Sequence, residues 1–508
     1  MYPPPAADTE VAGELAAVRP GLLPGFAAGL PGARAAVLTR LWRALTHEPL
    51  PWIERVEHLQ HLEGGPSPDT VTLRLRDGRR LHGPVPDPYA TDAYVTVVHL
   101  DARPYDDPAQ LMAALGVPHG SGLAAELAHS VASLALSRAA QEPEQGAPPT
   151  REWEWEWEQR IVDGHPYHPN CRSRPGFSVA EQLAYAPEHR PLVRLGLVPV
   201  PADGCLVAGD WPGGLRDGGK VLIPVHPWQA AHVLKRPFDR ELGAHPLMSL
   251  RTLALPGGPH VKTALSARLT SSVRDISVPS VTSSALLSAF AERLAARLDG
   301  LLHLTRTLGA VTDGTPELAA VLRESPQVYA GRGERVVPVA ALPLTGLTQS
   351  PAWLTDFARL TLTVGLRLLE LGVALEAHGQ NLLVVLSPTD APLRLVYRDL
   401  ADIRVSPARL ARHGIEVPPE LPVRIMTDDH DALRRKLFGS LVAGTLAATA
   451  GSGTALGAAL EPVVRELPRT ADTAALREAP IPAKALTLMR LTPERQGDLW
   501  AELPNPLL

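Results

Sequence analysis

LEAHGQNLLVVLSPTDAPLRLVYRDLADIR, residues 375–404, carries the clearest sign of how this chain is built. Two apolar runs, Leu382–Leu386 and Leu393–Tyr397, flank a Ser-Pro-Thr-Asp-Ala-Pro turn, which predicts a β-hairpin. Before it, apolar periodicity from Trp353 to Glu376 predicts a long helix that ends near Glu376–His378, with Gly379 letting the chain turn. The hairpin then brings Glu376, His378, Asn381 and Asp399 to one end. An apolar-periodic segment at Leu433–Ala450 predicts a further helix, so residues 321–508 read as mainly helical around one hairpin.

Oxygens from Asn381 and Asp399 suit a magnesium ion that also holds nucleotide phosphates. The competing reading is that both side chains only satisfy turn backbone. No Walker A sequence and no glycine-rich dinucleotide fingerprint occurs, so phosphates would be held by side chains. SLRTLALPGGPHVKTALSARLTSSVRDIS, residues 249–277, offers such side chains. Lys262, Ser266, Arg268, Thr270, Ser272 and Arg274 alternate as one face of an extended strand would. On a straight strand Lys262 and Arg274 would stand roughly 40 Å apart, so they share a ligand only if the chain bends. Thr270 or Ser271 capping a short helix is one such bend.

Upstream, GHPYHPNCRSRPGFS at 164–178 crowds His165, His168, Arg172 and Arg174 into a loop broken by prolines and glycine. Guanidinium groups there suit carboxylates. In PVHPWQ, 224–229, a strand Val221–Val225 ends at His226-Pro227, and the bland reading is a packed Trp228 with His226 capping the strand. EWEWEWEQ, 152–159, reads as a strand with Trp153, Trp155 and Trp157 on one face, or as the acidic start of a helix. No chemistry is assigned to it.

Turn-rich breaks between short strand-like runs make 151–320 a sheet-containing middle domain. Residues 1–150 are mixed: a helix around Ala35, Leu38, Trp42 and Leu45, a hairpin at Asp77-Gly78, a helix over Gly122–Leu136, and a polar linker at 141–150. A chain of 508 residues supports several such domains. With a formal charge of −5 and no long basic run, nucleic acid is not an expected partner. No stretch of about 18 uninterrupted apolar residues occurs, so no membrane span is expected. No signal peptide is expected from the first residues either. With two cysteines only, Cys171 and Cys205, a reducing cytoplasm is the expected location.

Six segments, in order over about 155–405, resemble the IucA/IucC family of NRPS-independent siderophore synthetases. They are Gly164-His165-Pro166 with His168-Pro169, His226-Pro227-Trp228-Gln229, Ser249-Leu250-Arg251-Thr252, Lys262 through Thr270 to Arg274, Glu376-Ala377-His378-Gly379-Gln380-Asn381, and Arg398-Asp399. The resemblance implies an α+β, multi-domain cupped hand of thumb, fingers and palm, with ATP between the last two and an acyl-adenylate intermediate. It implies Ser249, Arg251, Thr252, Lys262 and Arg274 on the phosphates, with His378 and Asn381 beside the nucleotide. It also implies Glu376, Asn381 and Asp399 at Mg2+, and Thr270, Arg274, His378, Gln380 and His165 around the carboxylate substrate. His168, Arg172 and Arg174 join that substrate set, and His378 is the candidate proton acceptor for the attacking amine.

Expected partners are a small polycarboxylate such as citrate, an amine or alcohol, and a second copy of the chain. Arg172 stands where the family usually has lysine, and the ends of the chain match poorly. The cysteine-rich C-terminal pattern of iron-reductase-like relatives is missing, so no iron–sulfur cluster is expected. Two other activities fit some of the same residues: a kinase-like phosphotransferase, which would release ADP, and a binding protein without turnover.

Overall fold

In the N-terminal third, small residues let two helices approach closely. Leu23–His47 packs on Gly120–Ala139, where Gly25 and Gly29 leave room for Ala139 and Ala135. The computed structural model describes residues 7–58, 70–141, 153–269, 272–495 and 497–508, so the linker expected at 141–150 lies, apart from Gln141, outside the described residues. Five antiparallel strands between Ile53 and Tyr105 follow the chain order as a meander. The Asp77-Gly78 hairpin is there, with Gly78 at φ +90°. Trp42 lies under Gly83 and donates its indole N–H to Pro84 O at 2.9 Å. Among the described residues one unbroken helical stretch, Pro20–His47, is long and apolar enough by composition to cross a membrane. In this fold its Leu38, Leu41, Trp42 and Leu45 are core, and its Arg40 and Arg43 bind the 163–167 loop and Pro88.

The middle of the chain forms a nine-stranded antiparallel sheet. Its centre decides the site. His260–Thr263 pairs with Thr252–Ala254 on one side and Ala319–Arg323 on the other, so Thr252, Lys262 and Val321 are directly opposed. Arg323, two residues beyond Val321, shares their face. The single long strand considered for 262–274 does not form. It stops at Thr263, and Leu265–Leu269 turns back on Ser272–Arg274 as a separate hairpin in which Arg274 faces Leu265. Lys262 and Arg274 therefore both come within electrostatic range of one carboxylate, Asp399. The next helix, Val278–Ala295, is capped by Ser277, while Thr270 and Ser271 lie outside the described residues.

The hairpin of the opening stretch is Leu382–Leu386 with Pro392–Tyr397, inside a mixed four-stranded sheet. It pairs in parallel with Leu302–Leu304 and antiparallel with Arg335–Pro338. The helix before it is shorter than its periodicity predicts. It ends at Leu371, where Gly372 caps it at φ +113°, and Val373–Ala374 is already strand. Gly379 lies in the turn closed by Asn381 N donating to His378 O at 2.9 Å, and a Cβ there would meet Ala340 N at 3.1 Å, so it provides close approach as well. Helices His430–Ser440 and Gly453–Glu466, and the strand pair Ile481–Lys484 with Trp500–Leu503, complete the C-terminal part. Ala485, Leu488, Leu491 and Ala501 pack into the core of the N-terminal third.

Candidate active site

One end of the 382–397 hairpin meets the face of the large sheet that carries Lys262 and Arg323. Arg398 N donates to Asn381 O at 2.9 Å, which closes the hairpin end and presents Asp399 in a positive-φ conformation, φ +71°. Asp399 then takes Lys262 Nζ at 2.6 Å on one oxygen and Arg323 at 3.0 Å on the other. Arg251 lies beside them and donates to the carbonyls of Arg274 and Asp275. Ser249 Oγ accepts from Thr252 N at 3.1 Å and shapes that turn.

Burial drives the electrostatics. It pulls the Arg251 guanidinium down to about 10 and the Lys262 ammonium below its ordinary value, against the pull of Asp399. Burial would push the Asp399 carboxyl up, but Arg323 and Lys262 outweigh it and hold that carboxyl well below the usual range. The cavity here is lined by the charged Arg251, Lys262, Arg323 and Asp399, by the hydroxyls of Ser280, Ser283 and Ser284, and by apolar residues that include Leu287, Leu400 and Ile425. Cations and apolar side chains lining one cavity suit a nucleotide, whose phosphates and base need opposite surroundings.

A second polar region adjoins the first. Arg274 senses Asp399, Asp402 and Glu376; His168 senses Arg274; His165 senses His168 and His378. His165 keeps an exposed face although protein surrounds it, the position of a group lining a cleft. Among the described residues, neither ring nitrogen of buried His168 has a hydrogen-bond partner. His378 N donates to Glu376 O and its Nδ1 accepts from Gln380 N at 3.2 Å, which places the proton of the neutral ring on Nε2. Burial favours that neutral ring. His378 is thus set up to donate, and not, as expected, to accept a proton from the amine. Gln380 is half-buried beside it, its carbonyl taking Arg398 Nε at 2.9 Å.

Three expectations meet different partners. Arg172 and Arg174 are 5% and 2% exposed and both face Glu188, at 3.4 and 2.7 Å. Arg172 also donates to the carbonyls of Ile161 and Val162. A buried guanidinium needs a buried acceptor, and both are paired with Glu188 instead of facing a substrate. Glu376, expected at magnesium, holds Lys484 at 2.7 Å and Lys436 at 3.2 Å. Burial pushes its carboxyl up, and the two lysines bring it down to about 2.

Asn381 and Asp399 carry oxygens of the kind that would hold a cation arriving with phosphates, and the Asp399 oxygens are now held by Lys262 and Arg323. Among the described residues no preformed group of three metal-ligating side chains exists. Thr270, expected at the carboxylate substrate, lies outside the described residues. Arg323, Lys436 and Lys484 were not singled out by sequence. The one available signal was a cation ending the apolar strand AAVLR, residues 319–323.

Residues 154–343 match the IucA / IucC family, and residues 351–499 match the ferric iron reductase FhuF-like transporter family. No cysteine lies within 351–499. The chain is 23% identical over 307 residues to a citryl-spermidine/3,4-dihydroxybenzoyl-citryl-spermidine:spermidine ligase of Bacillus anthracis, spanning 48% of this chain and 50% of the ligase. Among solved structures, the petrobactin biosynthesis protein AsbB of Bacillus anthracis superimposes with a TM-score of 0.74 at 17% identity, covering 96% of this chain and 98% of AsbB. ATP-bound aerobactin synthetase IucA of Klebsiella pneumoniae gives 0.69 at 19% identity, covering 94% and 99%. These likenesses establish the α+β, multi-domain fold. The family match falls on the segment that carries Lys262 and Arg274, so residues 154–343 of this chain are similar to the IucA / IucC family, and the chain as a whole shares the fold of these solved structures.

Proposed function

We propose that this chain is an ATP-dependent ligase that adenylates one carboxylate of citrate or a related polycarboxylic acid and joins it to an amine. The observation that carries the reading is the meeting of Arg251, Lys262, Arg323 and Asp399 in one cavity that apolar side chains also line. The triphosphate lies against the three cations and the base against the apolar side chains. Arg274, between this cavity and the imidazoles, holds the carboxylate that attacks the α-phosphorus. Negative charge builds on the phosphorus oxygens as pyrophosphate leaves, and fixed cations in a buried setting stabilise it without reorganising. Mg2+ held with Asn381 and Asp399 would supply further charge neutralisation. His378, donating from Nε2, orients the acyl oxygen for amine attack. The ligase similarity, the citryl substrate named for that relative, and the ATP of the aerobactin synthetase support this reading. We extend the proposal to a homodimer working in the cytoplasm, where ATP is supplied.

Hydroxylamine-trapped adenylation over a panel of di- and tricarboxylic acids tests it, with nucleotide products identified. AMP and pyrophosphate support the ligase; ADP supports a phosphotransferase; nucleotide uptake without consumption supports a binding protein. Arg274→Ala and His378→Ala should each lower turnover at least about a hundredfold, about 2.7 kcal/mol in barrier. Near-normal rates in either variant would remove the site from the proposal.

A further inference from the structure

The alternating Trp-Glu stretch has a role that its periodicity hides. It folds as the helix Glu154–Gln159, where residues four apart share a face and residues two apart do not. The three tryptophans therefore separate: Trp153 is 37% exposed, Trp155 stacks on His245 at 3.8 Å, and Trp157 is buried. Glu154 and Glu158 fall together on the inner face, 1% and 0% exposed.

Their oxygens go to four separate segments. Glu154 Oε1 bonds His260 Nε2 at 2.8 Å and Ser325 Oγ at 2.9 Å. Glu158 pairs with the Arg398 guanidinium at 2.7 Å and accepts from Met248 N at 2.9 Å. Each partner sits one to three positions from a polar group of the nucleotide cavity: His260 before Lys262, Ser325 after Arg323, Arg398 before Asp399, Met248 before Arg251. A carboxylate in an apolar interior needs its partners in place, so the distance between the sheet and the hairpin end is fixed through these two side chains.

We propose that Glu154 and Glu158 are positioning residues for nucleotide binding, one helical face setting the spacing of the four segments that form the cavity. This rests on the ATP-dependent reading above. Neither carboxylate touches the cavity, so the effect runs through Lys262, Arg323 and Asp399. The acid is held on the imidazole side by Arg274, which neither glutamate contacts among the described residues, so nucleotide and acid should respond differently.

Glu158→Gln and Glu154→Gln keep shape and one acceptor oxygen while removing charge. In steady-state assays of the full chain, each should raise KM for ATP about tenfold and change KM for the acid less than about twofold. Arg398→Met should do the same as Glu158→Gln, and the double variant should be no worse than either single one. If Glu158→Gln fails to fold, Glu154→Gln alone carries the test. Both KM values rising together, kcat alone falling, or a lower melting temperature with unchanged kinetics would overturn the inference. Wild-type protein that neither binds nor consumes ATP would overturn the functional reading and this inference together, whereas active wild type with unaffected variants overturns the inference alone.

Discussion

Arg323 shows how a single side chain can matter without standing out in the sequence. It ends a strand that reads as ordinary core, and only the pairing of that strand with His260–Thr263 brings it to Asp399, at 3.0 Å. Arg323→Met should weaken ATP binding about tenfold, about 1.4 kcal/mol, because one of the cavity's fixed cations is lost and Lys262 is left alone on Asp399. Calorimetric titration with ATP and Mg2+ measures it, and unchanged affinity would place the triphosphate elsewhere. Lys262, Arg274, His378 and Asp399 were readable because each lies in a polar cluster beside a turn or strand end, where apolar periodicity breaks. Lys436 and Lys484 were not: both lie in regular elements, and whether they face water or Glu376 depends on packing between residues 60 and 108 positions apart. Arg172 and Arg174 misled for the same reason, since their partner Glu188 belongs to a different turn.

At the scale of elements, the hairpin was legible and the helix before it was not. Val373, Ala374 and Leu375 continue the apolar run past the helix end, so only Gly372 marks the boundary. Two glycines seven residues apart should then fail in different ways. A Cβ on Gly372 would lie 2.8 Å from Arg409 Cβ and 2.9 Å from Ser406 O, in a backbone at φ +113°. Gly372→Ala should cost about 2 kcal/mol or more, read as a lower urea midpoint, with the folded fraction keeping its activity. A Cβ on Gly379 would press on Ala340 N at 3.1 Å, between His378 and Gln380. Gly379→Ala should cost only about 1 kcal/mol in stability yet lower turnover at least about tenfold, because the loop that aims His378 must shift. Equal losses of stability and activity in both variants would contradict this division.

Across the whole molecule, the two ends of the chain are bound to each other, and this was beyond the reach of periodicity. Tyr89 donates to Pro504 O at 2.6 Å, Gly453 N donates to Asp87 at 2.8 Å, and Arg490 pairs with Glu126. The seam is closed by Glu48, 8% exposed, whose oxygens accept from Thr487 N at 3.1 Å and Leu488 N at 2.6 Å. Burial pushes its carboxyl up from 4.5 to about 7, the two N–H groups only partly opposing it. A raised value means the folded chain holds this proton more tightly than the unfolded one. The stabilisation is therefore complete below 4.5 and disappears as pH rises through about 7, leaving a buried charge at the seam. In that window Glu48 should make stability fall with pH by up to about 1.4 kcal/mol per unit. Glu48→Gln keeps an acceptor for the two amides and has nothing to titrate, so its urea midpoint should decline less than that of the wild type between about pH 5 and about pH 8. Parallel curves would show that the seam carries no ionisation linked to folding, and that Glu48 serves only as an acceptor for the helix start at Leu486–Leu491.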